Sequence, residues 1–139
     1  MHLSLEEVVS LWLAARLSQR TSTLPWSTSA STALTKLLAS LPRSRSRALT
    51  SLCRRVIIGP PPTARMLESL GEVPRDALAV FETCFTSRTA MAFDYRGRED
   101  RSSSRRVEPH GLLVQSPLWY VLAFDLDAAA PAASRVAGE

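Results

Sequence analysis

Between residues 105 and 120 the chain places two adjacent arginines, a histidine and two adjacent rings: Arg105, Arg106, His110, Trp119 and Tyr120. A guanidinium presents a planar fork that grips phosphate or carboxylate oxygens through charge-assisted hydrogen bonds. On a regular strand, Arg105 and Arg106 point to opposite faces. One can then meet an anionic ligand while the other meets solvent; two solvated arginines are the competing account. The His110 imidazole can donate to a phosphate or a base, or serve as an ordinary structural histidine. Trp119 and Tyr120 also alternate in direction, so one packs in the core while the other is placed to stack on a base.

No acidic or thiol partner stands at ligand spacing from His110, so no metal site is expected. The chain has no Gly-x-Ser-x-Gly elbow, phosphate-binding Gly-Lys loop, paired histidines or thiol–histidine pair. Asp94, Glu99, Asp100 and Glu108 lie close in sequence, but strand and turn positions do not by themselves make an acid–base pair. A non-enzymatic protein without a cofactor is the expectation.

The elements that must position these residues are legible from periodicity. Ser4 followed by Glu7 is a capping box that opens a helix from Leu5 to about Gln19, with Val8, Trp12 and Ala15 on one face. A second helix starts near Ser27 or Ser29, carries Ala30, Leu34, Leu37, Leu38 and Leu41, and stops at Pro42. Arg43-Ser44-Arg45-Ser46-Arg47 enters a third helix, with Leu49, Leu52 and Cys53 as its buried side. Its repeated like charge fits either a solvated turn or an anionic partner. Val56-Ile57-Ile58 reads as a short strand, ended by Gly59 and three prolines.

A short helix is expected from Ala64 to Leu70. A further helix starts at Pro74 and runs to about Thr86, burying Leu78, Phe81 and Phe85. The period then changes to alternation. Met91, Phe93 and Tyr95 point one way along a first strand. A second strand runs from about Ser104 to Gln115, and a third from Leu118 to Phe124, apolar on both faces. Pro109 cannot donate to a ladder, so it marks a bulge or an edge beside His110. After Asp127 the alanine-rich segment has no period, and a frayed or disordered tail is expected.

The composition agrees with a packed protein. The chain has 139 residues, 45% hydrophobic, with a formal charge of +4. Lys36 is the only lysine, so arginine carries the positive charge. Cys53 and Cys84 form no Cys-x-x-Cys motif and read as buried thiols of a reducing compartment. Glu6 and Glu7 stand where a signal peptide is positive, and no apolar run is long enough to span a bilayer. A cytoplasmic protein is expected.

The segment from Ala90 to Asp127 resembles the WYL domain of bacterial transcriptional regulators. A strand ending in Tyr95 precedes Arg105-Arg106-Val107-Glu108-Pro109-His110-Gly111-Leu112, and Trp119-Tyr120-Val121 stands for Trp-Tyr-Leu with one apolar exchange. Leu3-Ser4-Leu5-Glu6-Glu7, the leucine-rich second helix and Arg54-Arg55-Val56 before the Gly-Pro run resemble the lead-in of the same class. The resemblance implies an α+β fold, with N-terminal helices followed by a small antiparallel, Sm-like or SH3-like partial β-barrel. It divides the chain into a helical lead-in with one strand at 1–73, an incomplete sheet domain at 74–127 and a tail at 128–139.

The resemblance also implies a function. The domain would be the ligand-sensing effector part of a transcriptional regulator, binding a nucleotide or single-stranded nucleic acid through Tyr95, Arg105, Arg106, His110, Trp119 and Tyr120. Within this set, Arg105 occupies the family's basic position and Tyr95 lines the sensing pocket. Family members carry a helix-turn-helix before this region and an arginine-rich strand after it. Neither is recognisable here, and Arg135 stands alone among small residues, so a truncated copy that reads no duplex DNA is expected. Its partners would be a second copy or a full-length regulator, with no membrane. The alternative is a partner-binding or dimerising fragment that takes no ligand.

Overall fold

A computed structural model describes residues 2–21, 24–68, 75–96 and 102–135. The chain divides into two compact units, Met1–Ile58 and Gly59–Glu139. The division falls directly after the short strand, earlier than the expected boundary at residue 73. Gly59 already belongs with the sheet: its N–H donates to the Val114 carbonyl at 2.8 Å.

The first unit holds α1 (Leu5–Thr21), α2 (Ser27–Ala39), α3 (Arg43–Cys53) and β1 (Val56–Ile58). The expected capping box forms. The Ser4 N–H donates to Glu7 Oε2 at 2.6 Å, and the Glu7 N–H to Ser4 Oγ at 3.1 Å, so two orphan donors of the first turn are satisfied reciprocally. Val8 and Ala15 of α1 and Leu49 and Leu52 of α3 form the buried core, and Val8 is only 1% exposed. α2 buries no residue fully; it is tied to α1 by a bond from Gln19 Nε2 to Ser31 Oγ. Arg45 turns back to donate to the Leu3 carbonyl, which joins the start of α3 to the start of α1.

The second unit contains α4 (Ala64–Leu67), α5 (Arg75–Ser87), β2 (Met91–Arg96), β3 (Ser102–Gln115), β4 (Leu118–Asp125) and β5 (Ala130–Arg135). Thr63 caps α4 by accepting from the Met66 N–H. The expected extension of α4 to Leu70 and the Pro74 start of α5 lie outside the described residues. β3 pairs antiparallel with β2 through its first half and with β4 through its second, and β5 pairs antiparallel with β4. Helices and a curled half-barrel sheet make the protein α+β.

Part of the expected tail is a strand. Residues 130–135 form β5, in register with Tyr120 to Asp125 of β4. Alanines carry no alternating pattern, but the outer edge of β4 presents backbone donors and acceptors that a neighbouring strand satisfies whatever its side chains. Positions 136–139 lie outside the described residues.

Register assigns the faces. Met91, Phe93, Arg105, Val107, Pro109, Leu112, Val114, Trp119, Val121, Ala123 and Asp125 share one face; Val107, Val114 and Val121 are buried there. Helix α5 packs on this side. The Phe81 ring lies 5.1 Å from the Trp119 ring and 5.3 Å from that of Phe85. The second face carries Ala92, Asp94, Arg106, Glu108, Leu113, Tyr120, Leu122 and Phe124, all half-buried or exposed, and Leu118, which is buried at the end next to Gln115.

Candidate functional site

The site begins with a bulge. Pro109 opposes Ala123 and Gly111 opposes Leu122, so His110 is the extra residue in β3. The proline explains it: with no N–H, it cannot complete the ladder at this point. A bulge shifts side-chain parity by one. Residues 105, 107 and 109 are therefore continued on the core face by 112 and 114 rather than by 111 and 113. His110 goes to the second face, where its Nε2 lies 3.8 Å from Glu108 Oε2.

The six residues singled out from the sequence do not converge on one hollow. Arg105 and Trp119 belong to the core face. Tyr95 opposes Ser103 in the ladder, which puts its position on that face too; its side chain lies outside the described residues. Trp119 packs on Phe81 and is the core member of the Trp-Tyr pair. Arg106, His110 and Tyr120 belong to the second face. The pleat dictates this separation, because Trp119 and Tyr120, like Arg105 and Arg106, are sequence neighbours.

The two arginines differ in their restraint. Arg105 Nη1 donates to Asp125 Oδ2 at 3.1 Å, and that carboxylate is shielded from solvent. The other oxygen, Oδ1, accepts from the N–H groups of Asp127 at 2.9 Å and Ala128 at 3.0 Å. The Ala128 amide bond chiefly, then the Asp127 amide and the Arg105 charge, hold the Asp125 carboxyl below its ordinary value, against desolvation that pushes it up. Arg106 lies outside this arrangement. Its Nη2 is 3.5 Å from Asp127 Oδ1, with both side chains at least half exposed. An exposed pair of this kind contributes about 0–1 kcal/mol, so Arg106 can exchange Asp127 for another anion at little cost.

The second face therefore presents a row. Glu108 opposes Phe124, Gly111 opposes Leu122, and Leu113 opposes Tyr120. Arg106 and His110 flank the Phe124 end, and both side chains are 66% exposed. Tyr120 stands four residues from Phe124 on the same face, about 13 Å along the strand. Asp125, Asp127 and Phe124 were not among the site residues expected from the sequence. The only local signal was an acidic pair, Asp125 and Asp127, closing an apolar strand. Among the described residues, no three His, Cys, Asp or Glu side chains could hold a metal ion together. No helix among them is long and apolar enough to cross a membrane.

Residues 76–137 match the WYL domain, a span that runs from within α5 through β5. The match extends through β5, past the limit at Asp127 that the alanine-rich composition suggested. WYL domains occur in transcriptional regulators, are generally ligand-sensing regulatory domains and are linked to nucleic-acid sensing. No curated protein matches the chain.

Proposed function

We propose that this chain is the ligand-sensing module of a transcriptional regulator, with an Sm-like partial barrel, and that it binds single-stranded nucleic acid along the second face of its sheet. One observation carries the reading: within the span that matches the WYL domain, exposed Arg106 and His110 share a face with the half-buried rings of Phe124 and Tyr120. Arginine and imidazole supply phosphate donors, and the rings supply stacking platforms. From Arg106 to Tyr120 the row spans roughly 20 Å at a strand's rise per residue. A surface of that length suits several linked nucleotides better than one. In this reading the chain is a non-catalytic binding module, and ligand binding acts by shifting an attached domain between conformations.

The test is fluorescence anisotropy with labelled single-stranded DNA and RNA oligonucleotides and with single nucleotides. Tyr120→Ala is expected to weaken oligonucleotide binding about tenfold, the equivalent of one lost base stack. Arg106→Ala is expected to reduce the salt dependence by about one phosphate contact. Absence of binding at low salt to every one of these probes would overturn the reading.

The edge strand favours a second reading. β5 ends the sheet order among the described residues, and an edge of this kind can pair with another protomer. Light scattering across a range of concentrations tests it; a strictly monomeric species excludes self-pairing.

A further inference from the structure

We infer that α3 carries a second, separate anion-binding surface, which contacts the phosphate backbone of nucleic acid without reading its sequence. Arg43 and Arg47 of this helix and Arg54, its C-cap residue in right-handed helical conformation, are all exposed. At 100° per residue, their positions fall within an arc of about 40°, and at 1.5 Å per residue they extend over about 16 Å of axis. Their positions form one row along the helix. Ser46, Thr50 and Ser51 lie alongside, and with Arg47 and Arg54 they line an open depression on the surface. The opposite side of α3 buries Leu49 and Leu52, so the helix is held by its apolar face and presents the basic one.

An ordinary solvated helix looks different. Surface helices commonly intersperse acids that pair with arginines one turn away. α3 contains no acidic residue, and none compensates the arginines in its first turn, at the positive end of the helix dipole. Among the described residues, Arg43, Arg47 and Arg54 have no ion pair. Arg45, the middle arginine of the run, is the exception that clarifies the rest: it turns inward onto the Leu3 carbonyl and serves the fold. Among the described residues, the three outward arginines bring mutual repulsion and no ion pair that holds the fold. A linear polyanion supplies what they lack, because guanidinium forks donate to phosphate oxygens through charge-assisted bonds. Backbone contacts position a nucleic acid without specifying it, so this surface favours duplex and single strand alike. It does not depend on the sheet-face reading.

The experiment uses the full chain carrying Arg43→Gln, Arg47→Gln and Arg54→Gln together, compared with the Arg→Lys triple variant. Binding to a labelled random-sequence duplex is followed across salt concentrations. The Gln variant is expected to bind at least tenfold more weakly, with its salt dependence reduced by two to three phosphate contacts, at about 0.9 per contact. The Lys variant is expected to retain the slope. Thermal stability of the Gln variant is expected to hold or rise, because like charges are removed. An unchanged affinity and slope in the Gln variant would overturn the inference. So would equal competition by polyglutamate at matched charge, which would make the surface an acidic-peptide site.

Discussion

The Arg105 guanidinium reaches diagonally across β3 and β4 to the carboxylate of Asp125, 3.1 Å away, which is only 3% exposed. The same carboxylate accepts the N–H groups of Asp127 and Ala128 and so closes the turn into β5. One side chain therefore anchors an arginine on the core face and shapes the exit of the strand that carries the Trp-Tyr element.

Asp125→Asn keeps an acceptor for the turn amides but loses the charge facing Arg105. The folded carboxyl lies below its ordinary value of 3.8. It therefore contributes stability that is fully present above 3.8 and is lost as pH falls through the lower folded value. The variant is expected to melt below the parent at neutral pH, with the gap narrowing below about pH 4. Melting curves at several pH values check this; a gap that stays constant to pH 2 contradicts it.

Rings on the two sides of β4 are expected to separate stability from binding. Phe81→Ala removes the ring that packs on Trp119 and is expected to cost about 3 kcal/mol, as is usual for a buried aromatic. Tyr120→Ala, on the other face, is expected to cost less than half of that while weakening oligonucleotide binding. Urea denaturation paired with anisotropy gives both readings.

Burial pushes the Cys53 thiol up to about 11, against a weaker opposing pull from the Arg16 charge. At pH 8 only about one thiol in a thousand is then ionised, and the thiolate is the reacting species. Alkylation of Cys53 by iodoacetamide in the folded protein is expected to be slow and to accelerate on unfolding. Mass spectrometry of the Cys53 peptide with and without urea measures it.

A Cβ added at Gly59 would stand 3.0 Å from Gln115 Cγ and 3.1 Å from Leu113 Cδ1. Gln115 also donates to the Pro60 carbonyl at 3.3 Å, so its side chain is not free to swing aside. Gly59→Ala is expected to destabilise by about 1 kcal/mol, the lower end for crowding a packed contact. A shift in the urea midpoint checks this, and a stabilised variant contradicts it.

Much of this protein was legible in its residues. The capping box at Ser4 and Glu7, the apolar faces of α1, α3 and α5, and the period-2 strands follow from local stereochemistry, because each pattern repeats at the spacing of its own element. Pro109 announced the bulge because a missing N–H is a local fact. Tertiary structure decided the rest. β5 exists because the edge of β4 offers backbone partners, which no alanine pattern can advertise. Asp125 matters because folding brings Arg105 and two turn amides around one carboxylate, although Arg105 lies twenty residues away. Which arginine, and which of Trp119 and Tyr120, faces the core depended on strand register and on the one-residue shift at His110. Register is a property of paired strands, so a single chain segment read alone cannot hold it.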